Sequence, residues 1–398
     1  MRKTPSRQGL IVVAALAVTL LDGFDAMSLA LAAPPMAKAL HLPREALGVV
    51  FASVLAGMIG GSVAGGALAD RLGRLKVLIG SIVVFSVAAL LMPLATGLAF
   101  ILVNRVIAGV GLGAAAPIAL ALATDVAGLK RSDRTVTIIW SGIPLGGVLA
   151  AVFAYLAMPR WGWSSIFVVG GLVPILAAFL AAVAFKDTAS SAAPGKPRPR
   201  LTALARRETL GSVLLMAAMF PFGYVTTSLL VNWAPTILSH QGAPQGVISA
   251  AFSVINLASV AGSLLLGWLS DRLKAGWLLA VCWLCAALAL AGIVILGGSL
   301  VWLCALAALA STIAAGAQGL ALAQANRLPA AAGLESTAVG FFVSLGRIGQ
   351  VTALALSGWA LTWGFGERGV MLLGLIGGLV AALAAFALQR LPAGSRAA

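Results

Sequence analysis

The deciding stretch of this chain is Leu10-Ile-Val-Val-Ala-Ala-Leu-Ala-Val-Thr-Leu-Leu-Asp22-Gly-Phe-Asp25-Ala-Met-Ser-Leu-Ala-Leu-Ala-Ala33. As a helix, this apolar run is long enough to cross a bilayer, which takes about 20 residues. Two carboxylates, Asp22 and Asp25, nevertheless lie near its centre. On insertion scales, each acid costs about 2.5–3.5 kcal/mol at that depth. Acidic residues in such a place indicate a functional site.

The spacing of Asp22 and Asp25 puts both carboxylates on one face of a helix, so one cavity can contact both. Burial and mutual repulsion disfavour the charged forms. Such a group can take up a proton on one side of a membrane and release it on the other. We therefore predict Asp22 and Asp25 as proton-coupling residues. The alternative is a structural ion pair within a helical bundle.

The composition excludes a soluble globular protein, because 61% of the residues are hydrophobic, 9% are charged and the mean hydropathy is +1.07. Twelve apolar segments have spanning length, so we predict an all-α membrane protein with twelve transmembrane helices. Pro34 and Pro35 fall in the first outer loop, 33–46, which we expect to be a turn. The approximate cores of the spans are 10–33, 47–69, 77–95, 98–123, 135–157, 165–185, 210–232, 246–269, 277–297, 300–324, 337–360 and 369–388.

The net charge of +15 follows membrane topology rather than nucleic-acid binding. With the N-terminus inside, 20 of the 26 Lys and Arg residues fall on one side and 4 on the other. The remaining two, Arg105 and Arg347, lie inside spans. The positive-inside rule therefore places both termini in the cytoplasm. A polar, Pro-rich linker predicts an N-terminal six-helix bundle at 1–187, a cytoplasmic linker at 188–209 and a C-terminal six-helix bundle at 210–398.

The predicted spans contain neither a nucleophile–base set nor a metal-binding cluster of side chains. We therefore expect no enzyme activity, no metal and no cofactor. Cys282, Cys285 and Cys304 are interpreted as small apolar residues.

A tight turn follows the second span: Gly66-Ala-Leu-Ala-Asp70-Arg71-Leu-Gly73-Arg74-Leu-Lys76. A weaker copy, Gly267-Trp-Leu-Ser-Asp271-Arg272-Leu-Lys274, begins 201 residues after it. Two corresponding turns indicate a transporter built from two repeated halves. The pattern resembles the loop between the second and third helices of the major facilitator superfamily. This resemblance implies the fold of that superfamily, with twelve helices in two six-helix bundles.

In that superfamily the loop controls the alternation between inward-facing and outward-facing states. The resemblance therefore implies a gating role for this turn and, more weakly, for its second copy. At the inner end of the fourth helix, Asp125 stands where many relatives have Glu. The predicted gating residues are Asp70, Arg71, Gly73, Arg74, Asp125, Asp271 and Arg272.

Arg105 lies inside the fourth span, about 10 Å from its outer end, and Asp25 lies at a similar depth of about 12 Å. An ion pair between them is geometrically possible. In one interpretation, Arg105 only neutralises Asp25. In the other, a substrate carboxylate or a proton competes for that pairing.

Arg347 lies near the midplane of the eleventh span, about 15 Å from its inner end, and Asp22 is also near the midplane. The spans of its own half hold no acid, so its partner comes from the N-terminal half or from the substrate. A fixed guanidinium suits bidentate capture of a carboxylate. The alternative is a structural counter-ion.

Trp233 is near the end of the seventh span, beside Asn232 and within reach of Tyr224. A tryptophan in this position is often a membrane-interface anchor. It can equally line a cavity, where its flat ring suits an aromatic substrate. Both alternatives remain open from the sequence, and Asn232 and Tyr224 join the predicted substrate-binding set.

Asp22-Gly-Phe-Asp25 is similar to the D-G-x-D signature of the aromatic acid:proton symporter family, and within it to the hydroxyphenylpropionate and hydroxybenzoate transporters. Further similar segments follow in order: Gly109-Val-Gly-Leu-Gly113, Ser141-Gly-Ile-Pro-Leu-Gly146, Val169-Gly-Gly-Leu-Val-Pro174, Asn232-Trp-Ala-Pro235 and Leu345-Gly-Arg-Ile-Gly349.

This resemblance implies alternating-access uptake of a benzoate-like or phenylpropionate-like anion with protons across a bacterial inner membrane, by a protein we expect to be a monomer. It implies proton coupling at Asp22 and Asp25 and a pocket with Arg105, Trp233 and Arg347. One alternative is a proton-coupled drug exporter of the same superfamily, which would bind cations; the second intramembrane arginine argues against it. The other is a membrane sensor or scaffold that no longer transports, which would need neither intramembrane acids nor a complete gating loop.

Overall fold

A computed structural model describes residues 5–43, 45–127, 139, 141–185, 210–270, 272, 275–296, 299–326 and 335–391. Within these ranges the chain forms twelve α-helices, a short 3-10 turn at Met92–Leu94 and no strand. The helices are α1 (Pro5–Ala39), α2 (Ala46–Leu72), α3 (Arg74–Leu91), α4 (Leu98–Ala127), α5 (Gly142–Trp161), α6 (Ser165–Phe185), α7 (Leu210–His240), α8 (Gln245–Ser270), α9 (Ala275–Leu296), α10 (Leu300–Asn326), α11 (Glu335–Thr362) and α12 (Gly366–Arg390).

By length and composition, eleven of these helices can cross a membrane. The exception is α6, whose described apolar stretch, Ser165–Phe179, is shorter. Because water cannot satisfy peptide groups in hydrocarbon, helices that bond internally are the expected way for such apolar segments to span. The prediction of an all-α membrane protein is confirmed.

The helices group into two compact units. The first contains α1 to α6, together with Pro244–Ser253 at the start of α8. The second contains α7, the rest of α8 and α9 to α12. The linker predicted at 188–209 lies outside the described residues.

In the first unit, α2 packs directly on α4 through glycine. A Cβ atom on Gly61 would lie 2.7 Å from the Cα atom of Val110, which is closer than real carbon atoms approach. The small-residue stripe Gly57-x-x-x-Gly61-x-x-x-Gly65 therefore serves to bring two backbones together, as such stripes do in membranes.

The α1–α5 contact is equally close, and it passes through the glycine of the D-G-x-D segment. A Cβ atom on Gly23 would lie 2.7 Å from the Cα atom of Ile143 in α5. Nearby, the Thr19 hydroxyl donates a hydrogen bond to the carbonyl of Ile139 at 2.6 Å. This crossing fixes the part of α1 that carries Asp22 and Asp25.

In the second unit, α7 contacts α10, α11 and α12. The rings of Phe220 in α7 and Phe342 in α11 stack with centroids 5.2 Å apart. The Thr226 hydroxyl donates to the carbonyl of Gly374 in α12 at 2.9 Å. These contacts hold α7 against α11 and α12 and fix its rotation about its own axis.

The prediction of a turn at Pro34 and Pro35 is wrong, because α1 continues through both prolines to Ala39. The connection to α2 is therefore only the short segment from Leu40 to Glu45. Each proline removes one backbone donor from the helix. Tight packing keeps the helical path nevertheless, since Ala33 and Met36 are fully buried and the Leu40 amide still bonds to the Met36 carbonyl at 3.0 Å.

Candidate substrate and proton-coupling sites

Two of the three intramembrane ionisable residues predicted in the first unit, Asp25 and Arg105, form an ion pair. Nη1 of Arg105 in α4 lies 3.4 Å from Oδ1 of Asp25 in α1, and the side chains are 0% and 2% exposed. The other carboxylate oxygen of Asp25, Oδ2, has no hydrogen-bond partner among the described residues. Asp25 and Arg105, which lie at matching depths in their spans, therefore form the ion pair that was possible from the sequence. Only one of the two Asp25 carboxylate oxygens takes part in it.

Arg105 is held by more than Asp25. Its Nε and Nη2 atoms donate to the side-chain oxygen of Asn104 at 3.2 and 2.9 Å, and its guanidinium lies 5.0 Å from the ring centroid of Phe167 in α6. Asn104 is itself anchored, because its amide donates to the carbonyl of Ala88 in α3 at 2.8 Å. The sequence analysis did not predict that Asn104 and Phe167 contact Arg105. For Asn104, its position directly before Arg105 was a signal that could have indicated this contact.

Asp22 is also buried, one helical turn before Asp25 on α1. Both carboxylates therefore sit in protein rather than in lipid. This placement agrees with the prediction that they share a helix face, and it keeps two titratable groups in one region of the first unit.

In the second unit, Arg347 and Tyr224 are brought together by α11 and α7. The ring of Tyr224 packs on Gly346, the residue before Arg347, and the charge of Arg347 acts electrostatically on the Tyr224 phenol. Arg347 is partly buried, and it makes no hydrogen bond or ion pair with any described residue. It differs in this respect from Arg105, whose donors are engaged.

Trp233 lies inside the second unit. Its side chain is fully buried, and its indole N–H donates to the Ser357 hydroxyl in α11 at 2.9 Å. The structure therefore argues against a membrane-interface anchor, the first of the two alternatives. Its neighbour Asn232 is partly buried, and the amide of Asn232 donates to the carbonyl of Ser228 at 2.8 Å.

The sequence matches the family model of the Major Facilitator Superfamily over residues 15–350. The chain belongs to the Major Facilitator Superfamily.

Three relatives within the superfamily are named as transporters of aromatic acids. A 3-(3-hydroxyphenyl)propionate transporter of Escherichia coli (strain K12) is 31% identical, over 94% of this chain and 92% of its own. A gentisate transporter of Corynebacterium glutamicum is 29% identical, over 93% and 85%. A 4-hydroxybenzoate transporter of Pseudomonas putida is 28% identical, over 66% of each chain. The predicted resemblance to aromatic acid transporters is confirmed as a similarity of sequence.

Solved superfamily structures share the fold. A D-xylose–proton symporter aligns with a TM-score of 0.79 at 17% identity, over 98% of this chain and 99% of its own. A bacterial homologue of the human lysosomal transporter Spinster aligns with a TM-score of 0.78 at 18% identity, over 99% of both chains. The predicted major facilitator fold is confirmed. Because the relatives and the fold are those of transporters, the prediction that the chain is not an enzyme is confirmed as well.

The turn that we predicted to control gating connects α2 to α3. Gly73 adopts φ +95°, a conformation that favours glycine, and its amide bonds to the Ala69 carbonyl at 3.0 Å. Arg71 is exposed and Arg74 is partly buried. In the second copy, Arg272 lies over the ring of Trp268, 4.0 Å from its centroid. The side chains of Asp70 and Asp125, and the whole of Asp271, lie outside the described residues.

Proposed function

We propose that this superfamily member imports an aromatic carboxylate, benzoate-like or hydroxyphenylpropionate-like, together with protons, by alternating access. The names of its relatives support the substrate class, since three of them are called transporters of hydroxylated aromatic acids. One structural observation carries the proposal: Arg347 is a partly buried intramembrane cation that makes no ion pair or hydrogen bond with any described residue.

An arginine within the membrane is expensive unless something compensates its charge. A substrate carboxylate is a suitable partner, because the planar guanidinium can donate two parallel hydrogen bonds to it. Tyr224 lies beside Arg347 and adds an aromatic ring and a phenol to the same place. We therefore assign the capture of the carboxylate to Arg347, with Tyr224 as its neighbour.

The remaining predicted substrate residues take supporting roles in the proposal. The Trp233 indole, oriented by Ser357, is fully buried in the same bundle, so in this proposal it meets the substrate ring only when its neighbours move apart. Asn232 supplies a polar group next to it. Arg105 would contact substrate only after Asp25 releases it, because its donors are engaged with Asp25 and Asn104.

Asp25 and Asp22 are assigned to proton coupling. Protonation of Asp25 removes the negative charge that lies 3.4 Å from Arg105. Binding of a proton therefore weakens the ion pair between the two side chains. One proton for each monocarboxylate makes transport electrically neutral. Further protons would let the membrane potential contribute about 2.3 kcal/mol per charge for each 100 mV.

Alternation between the two access states is assigned to the turn at Asp70, Arg71, Gly73 and Arg74, with Asp125 and the second copy at Asp271 and Arg272. In this proposal an N-terminal bundle at 1–187 and a C-terminal bundle at 210–398 move around a linker at 188–209. The protein is a multi-pass membrane protein; we further propose that it acts as a monomer in a bacterial inner membrane with both termini in the cytoplasm.

The test is uptake into proteoliposomes under an inward proton gradient, with labelled 3-(3-hydroxyphenyl)propionate, 4-hydroxybenzoate and benzoate. Protein-free liposomes give the passive entry of each protonated acid, which is subtracted. We expect saturable, gradient-dependent accumulation by the native protein and none by Arg347→Ala or Asp25→Asn. If no acid accumulates and the gradient instead drives a lipophilic cation out, the protein is an exporter and the proposal fails.

A further inference from the structure

One polar contact in the second unit has no part in the roles assigned so far. Nε2 of Gln318 in α10 donates a hydrogen bond to the hydroxyl of Thr227 in α7 at 2.8 Å, and both side chains are partly buried. Gln318 stands among apolar and small residues of a membrane-spanning helix. An amide in that setting is costly unless its hydrogen-bonding groups find partners.

Thr227 fixes the orientation of this amide. Its hydroxyl lies 3.1 Å from the carbonyl of Gly223, which can only accept, so the hydroxyl proton is committed there. The Thr227 oxygen must then accept from Gln318, which turns the amide NH2 group towards α7. The carbonyl oxygen of Gln318 accepts no hydrogen bond from a described residue, and it is not among the fully buried unpaired atoms of the described residues, so it stays accessible to a ligand.

Gln318 is held close to the proposed carboxylate site. Thr227 is three residues after Tyr224 on α7, so the two share a face and are about 4.5 Å apart along the helix axis. Tyr224 packs on Gly346, next to Arg347, and α7, α10 and α11 all contact one another. In 4-hydroxybenzoate the hydroxyl lies across the ring from the carboxylate, and in 3-(3-hydroxyphenyl)propionate the flexible two-carbon arm lets the two groups reach sites on neighbouring helix turns.

We propose that Gln318 determines substrate specificity by accepting a hydrogen bond from a ring hydroxyl, and that Thr227 is its positioning residue. This inference rests on the proposed function, in which Arg347 holds the carboxylate of the same substrate. A preoriented acceptor favours the acid that carries the hydroxyl, because an analogue lacking it covers the acceptor with the ring and leaves it unpaired in the complex. Selectivity among aromatic acids therefore depends on the amide of Gln318 rather than on Arg347.

The experiment compares two acids that differ by one hydroxyl, 3-(3-hydroxyphenyl)propionate and 3-phenylpropionate, in proteoliposomes. The measured quantity is the ratio of their kcat/KM values after subtraction of entry into protein-free liposomes. Gln318→Met keeps the length of the side chain and removes the amide. We expect it to lower the ratio about tenfold, as loss of one hydrogen bond predicts, with kcat/KM for 3-phenylpropionate almost unchanged.

Two further variants sharpen the result. Thr227→Val keeps the shape and releases the amide, so we expect a smaller change of the ratio in the same direction. Gln324→Met makes the same substitution six residues later on α10 and should leave the ratio unchanged.

Equal losses for both acids in Gln318→Met, or an unchanged ratio in both Gln318→Met and Thr227→Val, overturn this inference and leave the proposed function standing. Absence of saturable uptake of both phenylpropionates, and of 4-hydroxybenzoate and benzoate as well, by the native protein overturns both.

Discussion

The guanidinium of Arg105 lies 3.4 Å from the carboxylate of Asp25, and both side chains are closed off from the surface. The pair joins α4 to α1 inside the first unit, where Asn104 and Phe167 hold the arginine in place. The other carboxylate oxygen of Asp25 stays without a hydrogen-bond partner among the described residues. The contact joins two helices, and in our proposal it is also the place where a proton is taken up.

A double-mutant cycle on this pair should show strong coupling. Asp25→Asn and Arg105→Gln each leave one buried charge without its counter-charge, which costs about 3–5 kcal/mol. The double variant leaves no such charge, so we expect it to lose less than the sum of the two single variants. The measurement is the free energy of unfolding of the purified protein in detergent. Simple additivity of the two single effects would contradict the ion pair.

Arg347 should behave in the opposite way. Since it makes no ion pair with any described residue, Arg347→Gln should change the free energy of unfolding by less than about 1 kcal/mol. It should nevertheless abolish saturable uptake, because the carboxylate loses its partner. Unfolding of Arg105→Gln under identical conditions is the comparison. If both variants are destabilised equally, Arg347 is a structural counter-ion instead.

Gly23 should not accept even a methyl group. Gly23→Ala places a Cβ atom 2.7 Å from the Cα atom of Ile143, so α1 and α5 must separate and carry the two acids with them. Overpacking of this kind costs about 1–3 kcal/mol, and we expect gradient-driven uptake to be largely lost. Gly60→Ala in α2 is the matched control, because no atom lies within 4 Å of its Cβ position. Equal behaviour of the two variants would refute the close crossing.

Gly73→Ala tests the gating turn. At φ +95° an alanine is strained by about 1–3 kcal/mol. We expect the variant to bind substrate with unchanged affinity but to transport it more slowly. Substrate binding is read by ligand-dependent thermal stabilisation and transport by initial uptake rates. Gly66→Ala, at an open position of α2, should leave both readouts unchanged. A normal uptake rate in Gly73→Ala would remove this turn from the gating proposal.

The sequence predicts well how deep a residue lies in the membrane. It predicts poorly how each helix is rotated about its axis and which neighbour a residue therefore faces. Runs of about 20 apolar residues located the spans, and counting residues from span ends placed Asp25 and Arg105 at matching depths. Helices that are apolar on all sides give no indication of which face meets which neighbour. The contacts of Trp233 with Ser357 and of Gln318 with Thr227 depend on that rotation, so only the structure reveals them.

At the end of α1, tertiary packing overrides the local preference of proline to end a helix. Two consecutive prolines predict the end of a helix, because each removes a donor and crowds the preceding turn. Here Ala33 and Met36, on either side of the two prolines, are fully buried, and the helix persists to Ala39. Nothing in the sequence around Pro34 measures how strongly the neighbouring helices hold that segment.

The most direct test of proton-coupled uptake is to measure Asp25→Asn in two modes with labelled 3-(3-hydroxyphenyl)propionate. Exchange of labelled for unlabelled acid across the membrane requires no net proton movement, whereas accumulation under an inward proton gradient does. Asparagine resembles a permanently protonated aspartate, so we predict that the variant retains exchange and loses accumulation. Accumulation at the native level by Asp25→Asn would contradict the account, because the proton would then travel without this carboxylate.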